Sequence, residues 1–257
     1  MKDKKYFIWL FIGCLFLFLP LMVIEPQLGH DTSFHLKNIE LLAKHFSLDS
    51  LSSFFILPET ANHLGYGIGI FYPMLPHMIG AFFCNLFGIV SIPTIYSVYF
   101  LYFLILYGSS LVVYRLSKKI YKKEILAFFS ATLYMMMPYV FGDLFIRMAY
   151  NEIFLFFFFP CVVLGLVSLI EGEKKEFCFS FVIGCIGMIS SHLVLTLYAC
   201  LLLLPCLFFY SKSIFCKKNR KAIMLAVGII VLFVLPNLLL LLTHYLSGNY
   251  LVNLMTI

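Results

Sequence analysis

Arg115-Leu116-Ser117-Lys118-Lys119-Ile120-Tyr121-Lys122-Lys123 is the stretch that decides the fold. It separates two apolar runs, Ile92 to Tyr114 and Ile125 to Phe141. Each approaches the roughly 20 residues that a helix needs to cross about 30 Å of hydrocarbon. Lys and Arg beside such runs are held on the cytoplasmic side, so this loop fixes one end of two crossings. Three other clusters repeat the pattern: Lys2 to Lys5, Lys174 with Lys175, and Lys212 to Lys221. Together the four hold 15 of the 18 Lys and Arg residues.

The composition agrees. Apolar residues make up 63% of the chain, charged residues 12%, and the mean hydropathy is +1.01. That leaves too little polar surface to solubilise an ordinary globular domain. Hydrocarbon satisfies no backbone hydrogen bond, so the expected class is an all-α polytopic membrane protein. The net charge of +6 is spread over short juxtamembrane groups with no soluble domain to present them, which argues against a nucleic-acid partner. The eight cysteines show no CxxC spacing and read as small apolar residues.

Threading the chain with basic clusters inside gives about seven transmembrane helices in a single domain, 1–257, in the plasma membrane. The first, Tyr6 to Ile24, reads as an uncleaved signal anchor with a cytoplasmic N-terminus. It delivers the chain into an external loop, 25–68, with an amphipathic helix over 32–46. Two full crossings between there and Arg115 would put that cluster on the wrong side. The stretch 68–90, broken by Tyr72-Pro73-Met74-Leu75-Pro76-His77, is therefore expected to be half-embedded. Crossings follow at about 92–115, 125–142 and 153–170. Two short helices share 177–210 around Ser190-Ser191-His192, and 222–242 leaves the C-terminus external. This layout has 15 basic and 5 acidic residues inside, and 3 basic and 7 acidic outside. All seven histidines fall outside.

Two polar groups stand out on that external side. Asp31, His35 and Asn38, at i, i+4 and i+7, share one face of the amphipathic helix, with His30 just before it. A carboxylate and an imidazole so aligned could hold a divalent cation, Mg or Mn, or act as base and orienting partner. Equally, Asp31 is only an N-cap and His35 an interfacial aromatic. The second group is Asp143, Arg147, Asn151 and Glu152. Here an arginine and two acids either pair with one another, contact a ligand, or mark a helix end beside an arginine reaching lipid phosphate. His192 is either a satisfied turn residue or a ligand contact. Tyr66 and Tyr72 suit an interfacial belt or sugar stacking.

The layout resembles the GT-C class of membrane glycosyltransferases, and more closely the YfhO-like bacterial membrane proteins related to them. The resemblance is carried by Gly29-His30-Asp31 with His35 early in the first external loop, by Gly65-Tyr66-Gly67, and by Phe71-Tyr72-Pro73-Met74-Leu75-Pro76. Tyr150-Asn151-Glu152 looks like a shortened form of the acidic segment in oligosaccharyltransferase catalytic subunits. It implies transfer of a sugar from a polyprenyl-phosphate-linked donor to an envelope glycan or protein acceptor on the outer face. Asp31 would be the catalytic or metal-binding residue and Glu152 its support. His30, His35, Asn38, Tyr66, Tyr72, Asp143, Arg147, Asn151 and His192 would line the substrate site. Where the family has paired acids, His30-Asp31-Thr32 has one. The chain is thus expected to be an enzyme of this class, or its N-terminal module with a further membrane subunit. The alternatives are a non-catalytic assembly or lipid-binding protein of the same fold, and a small transporter.

Overall fold

Helices are what a chain with so few polar side chains can build in lipid, and helices are what it forms. The computed structural model describes residues 3–23, 29–45 and 72–246, and every regular element among them is helical. Tyr66, the Gly65-Tyr66-Gly67 stretch and most of the external loop lie outside the described residues. The order is α1 (Asp3–Val23), α2 (Thr32–Lys44), α3 (Leu75–Gly88), α4 (Thr94–Tyr121), α5 (Glu124–Met135) and α6 (Pro138–Phe141). A π-helical turn (Gly142–Arg147) leads into α7 (Tyr150–Glu171), α8 (Lys174–Ile189), α9 (Leu193–Phe209), α10 (Ser211–Ile214) and α11 (Arg220–Leu246).

Four of these segments are both long and apolar enough to cross a membrane: Asp3–Leu21, α4, Glu124–Arg147 and α7. The apolar helices α3 and α9 are shorter, at 14 and 17 residues. Phe16, Leu133, Phe179, Leu202 and Phe208 are all exposed, which in water would be a liability and in lipid is ordinary.

The turns have local causes. Lys122 adopts a left-handed conformation (φ 55) and its N–H donates to the Lys118 carbonyl at 2.9 Å, closing α4 before α5 begins. Gly172, at φ +87, ends α7 in the region where only glycine is unstrained. At the α8–α9 turn, His192 is extended and its Nδ1 accepts the Leu195 N–H at 3.3 Å, an imidazole N-cap.

Ion pairs tie the basic clusters together at one end of the bundle. Lys118 meets Asp3 at 2.6 Å, Lys119 meets Glu173 at 2.6 Å and Glu176 at 2.9 Å, and Lys122 meets Glu171 at 2.7 Å. The start of α1, the end of α4, the start of α5, the end of α7 and the start of α8 therefore share an end, as the charge pattern requires. The opposite end carries the start of α4, the π turn, the start of α7 and the α8–α9 turn.

Helix α3 lies across that opposite end. Its first residue, Leu75, donates its N–H to Ser190 O at 3.3 Å, and Cys84 Sγ sits 3.4 Å from Thr94 Oγ1 at the start of α4. At 1.5 Å per residue its length is about 21 Å, short of a crossing. Helix α2 runs parallel to it: His35 contacts His77, and Ala43 O accepts from Asn85 Nδ2 at 3.0 Å. The expected amphipathic helix is present over Thr32–Lys44, and its buried side includes polar residues. Ile39 and Leu42 are buried as expected, yet so are Thr32, His35 and Asn38, while Phe34 is exposed. On that face His35 meets His77 of α3, and Thr32 Oγ1 donates to Met148 Sδ at 3.0 Å.

Candidate functional site

A single guanidinium organises the site. The π turn brings Asp143 and Arg147 onto one side, Met148 turns the chain in a left-handed conformation (φ 53), and Glu152 follows in the first turn of α7. Arg147 Nη2 donates to Glu152 Oε1 at 2.6 Å and Nη1 to Glu152 Oε2 at 3.1 Å, a two-pronged contact. Nη1 also reaches Asp143 Oδ1 at 3.1 Å, and Nη2 lies 3.9 Å from Asp31 Oδ2. Tyr139 Oη donates to Glu152 Oε2 at 2.5 Å, and His192 Nε2 stands 4.0 Å from Glu152 Oε1.

The loop carrying Asp31 is docked by backbone. Its N–H donates to the Arg147 carbonyl at 3.1 Å. A Cβ on Gly29 would lie 2.8 Å from the carbonyl oxygens of Arg147 and Ile146, so only glycine permits this approach. Asp31 is the N-cap residue of α2 by position, but its side chain makes no cap hydrogen bond. Its carboxylate faces arginine instead.

Beneath the acids lies a nitrogen-rich layer. His35 Nδ1 and His77 Nε2 are 3.0 Å apart, and His77 is fully buried. Tyr150 Oη donates to Pro76 O at 2.7 Å, and Asn151 Nδ2 bridges Pro73 O at 3.0 Å and Ser191 O at 2.9 Å. Asn151 is thus the clamp that holds the start of α3 against the α8–α9 turn. The Tyr72 ring stands 6.4 Å from those of His35 and His192 and 6.0 Å from that of His77. Burial pushes its hydroxyl up to about 12.

Burial also makes both paired imidazoles poor bases: His35 falls to about 4 against the pull of Asp31 and Glu152, and His77 falls well below the ordinary value. A depressed histidine binds fewer protons folded than unfolded, so it stabilises fully above about pH 6.5 and loses that stabilisation as pH falls toward 4. Docking of α2 should therefore weaken by up to about 1.4 kcal/mol per pH unit through His35 across that window. Limited proteolysis after Lys37 or Lys44 should be faster at pH 5 than at pH 7; equal rates would contradict this.

The structure brings together Asp31, His35, Tyr72, Asp143, Arg147, Asn151, Glu152 and His192. His30 is exposed and outside these contacts. Asn38 is buried on α2, its Nδ2 unpartnered among the described residues, and touches none of the acids. Tyr139 and His77 belong to the site although neither was a sequence candidate for it. Tyr139 stands four residues before Asp143, one helical turn, and His77 follows the Pro76 break. A divalent cation held by Asp31 and Glu152 does not fit this arrangement: both acids face Arg147, and no cluster of three or more His, Cys, Asp or Glu suited to a metal occurs among the described residues.

Comparison of the chain with protein families, with curated proteins and with solved structures finds no match.

Proposed function

We propose that the chain is a GT-C-like membrane glycosyltransferase, or the N-terminal module of one. It would transfer a sugar from a polyprenyl-phosphate-linked donor to an envelope acceptor at the outer face of the plasma membrane. The reading takes α1, α4, α5 with the π turn, and α7 to α9 and α11 as seven crossings, with the N-terminus cytoplasmic. One observation carries the catalytic assignment. Of the three carboxylates around Arg147, the Asp31 side chain is 45% exposed, against 12% for Glu152 and 1% for Asp143. It is the one acid a substrate can reach.

In this reaction the acceptor hydroxyl attacks the anomeric carbon as the bond from that carbon to the donor phosphate oxygen breaks. The hydroxyl proton passes to the Asp31 carboxylate, and the electron pair leaves with the polyprenyl phosphate. Arg147, 40% exposed, supplies positive charge where the phosphate departs. Glu152 and Tyr139 hold that guanidinium in place, so Glu152 is a positioning residue. Tyr72 offers a sugar-stacking face beside it.

Asp31→Asn should lower transfer by about 100-fold or more in membranes supplied with a polyprenyl-phosphate-linked sugar, while insertion and thermal stability stay unchanged. Undiminished transfer removes the assignment. A second reading, a non-catalytic assembly or lipid-binding protein of the same architecture, draws support from how fully Glu152 and Asp143 already occupy Arg147. It predicts that Asp31→Asn with Glu152→Gln leaves the cellular phenotype intact. A transport path gains less support, because the ion pairs of the described residues gather at the two ends of the bundle.

A further inference from the structure

The acids at the basic end are unevenly shared. Glu171, Glu173 and Glu176 all turn toward Arg115, Lys119 and Lys122 at the α4–α7 junction. On the other flank of α8, an open groove of about 650 Å³ runs between α8 and α11. Its walls are apolar, formed by Phe179, Val182, Ile183, Leu225 and Ile229, and its mouth is crowned by Lys174, Lys175 and Lys221. Lys174 Nζ is fixed over the mouth by donating to Lys218 O at 2.5 Å. Lys175 and Lys221 are exposed, and no acid pairs with any of the three among the described residues. The floor is closed by close packing of the two helices, with Cys178 Sγ 3.7 Å from Ala222 O.

We propose that this groove binds an anionic phospholipid from the leaflet at the basic end of the bundle. An acyl chain lies along the apolar walls and the phosphate sits among the three ammonium groups. The charge decides the occupant. A zwitterionic lipid would satisfy the walls equally but would bring a fourth cation to a mouth that already holds three and has no carboxylate to receive it. An anionic headgroup cancels part of that repulsion, and lysines near the membrane surface attract such lipids additively. The starts of α8 and α11 both lie at the mouth, and the positive ends of their helix dipoles add to the same field. Because the groove is at the far end from Arg147, the inference does not depend on the transfer reaction.

The test titrates the purified full chain in neutral detergent with phosphatidylglycerol or phosphatidylcholine of identical acyl chains, counting bound lipid by native mass spectrometry. The wild-type protein should prefer phosphatidylglycerol by roughly tenfold or more. Lys174→Gln, Lys175→Gln and Lys221→Gln combined should abolish the preference. Lys4→Gln, Lys5→Gln and Lys123→Gln combined, the same loss of charge outside the groove, should keep it. Equal binding of the two lipids by the wild type overturns the proposal. So does an equal fall in both triple variants, which would mean diffuse attraction to the whole basic end.

Discussion

Arg147→Met is expected to destabilise the protein by about 1 to 3 kcal/mol, the cost of leaving buried acids without their shared donor. Asp143 is the reason. Its side chain is 1% exposed, its Oδ2 has no partner among the described residues, and Arg147 is its only ion-pair partner there. Glu152, 12% exposed, loses a two-pronged donor at the same time. For a chain of this length the cost corresponds to a fall in thermal midpoint of roughly 2 to 12 °C, measurable in detergent by thiol-reactive dye. Arg147→Lys should fall between, because an ammonium keeps the charge but cannot span Asp143 and Glu152 at once. Adding Asp143→Asn to Arg147→Met should recover part of the loss, since the stranded charge is gone. If Arg147→Met melts with the wild type, or if Asp143→Asn gives no recovery, the guanidinium is not the hub of this end.

The second large effect lies at the α7–α8 contact. A Cβ on Gly184 would come 2.7 Å from Val162 N and 2.8 Å from Phe158 O, both backbone atoms that cannot rotate away. At Gly165 the obstacles are Phe181 backbone and Cβ, at 2.7 to 3.0 Å. Small residues that let helix backbones touch are what association in lipid relies on, because apolar burial gives no advantage there. Gly184→Ala should cost about 1 to 3 kcal/mol through overpacking, and Gly184→Leu more. Gly228→Ala in α11 meets nothing within 4 Å and should be neutral or stabilising by up to about 1 kcal/mol. Pushing α8 outward also moves Ser190 and Ser191, whose carbonyls hold Leu75 and Asn151, so Gly184→Leu should loosen α3 and raise Cys84 labelling. Equal melting of Gly184→Leu and Gly228→Ala would refute the close-contact account.

The two ends of the bundle were legible in the sequence because juxtamembrane charge acts locally. The cluster from Arg115 to Lys123 needs no knowledge of its partners to mark a cytoplasmic-type loop. The turn at Ser190-Ser191-His192 was legible for a similar reason, since short polar residues end helices by their own geometry, and Pro76 falls in the first turn of α3, where proline is tolerated. The grouping of Asp31 with Asp143, Arg147 and Glu152 followed from topology alone. What each acid does there did not. Spacing placed Asp31, His35 and Asn38 on one face but could not say that the face turns inward, because the deciding partner, His77, is 42 residues away from His35. A metal for the acids was an expectation from the spacing of Asp31 and His35, and the positive charge that the described residues place among the acids is Arg147. Nothing in Gly142 to Arg147 announces a π turn.

That turn has a meaning for how the site came to exist. Each backbone bond in it spans one residue more than in an α-helix, so the segment holds one residue beyond what the flanking geometry needs. Subtracting it would leave apolar crossings on both sides serviceable and change neither their length class nor their charge. It would, however, swing everything downstream by about 100° around the axis, withdrawing the carbonyl on which Asp31 is hung. The hanging of Asp31 on the Arg147 carbonyl thus depends on one residue of helix phase.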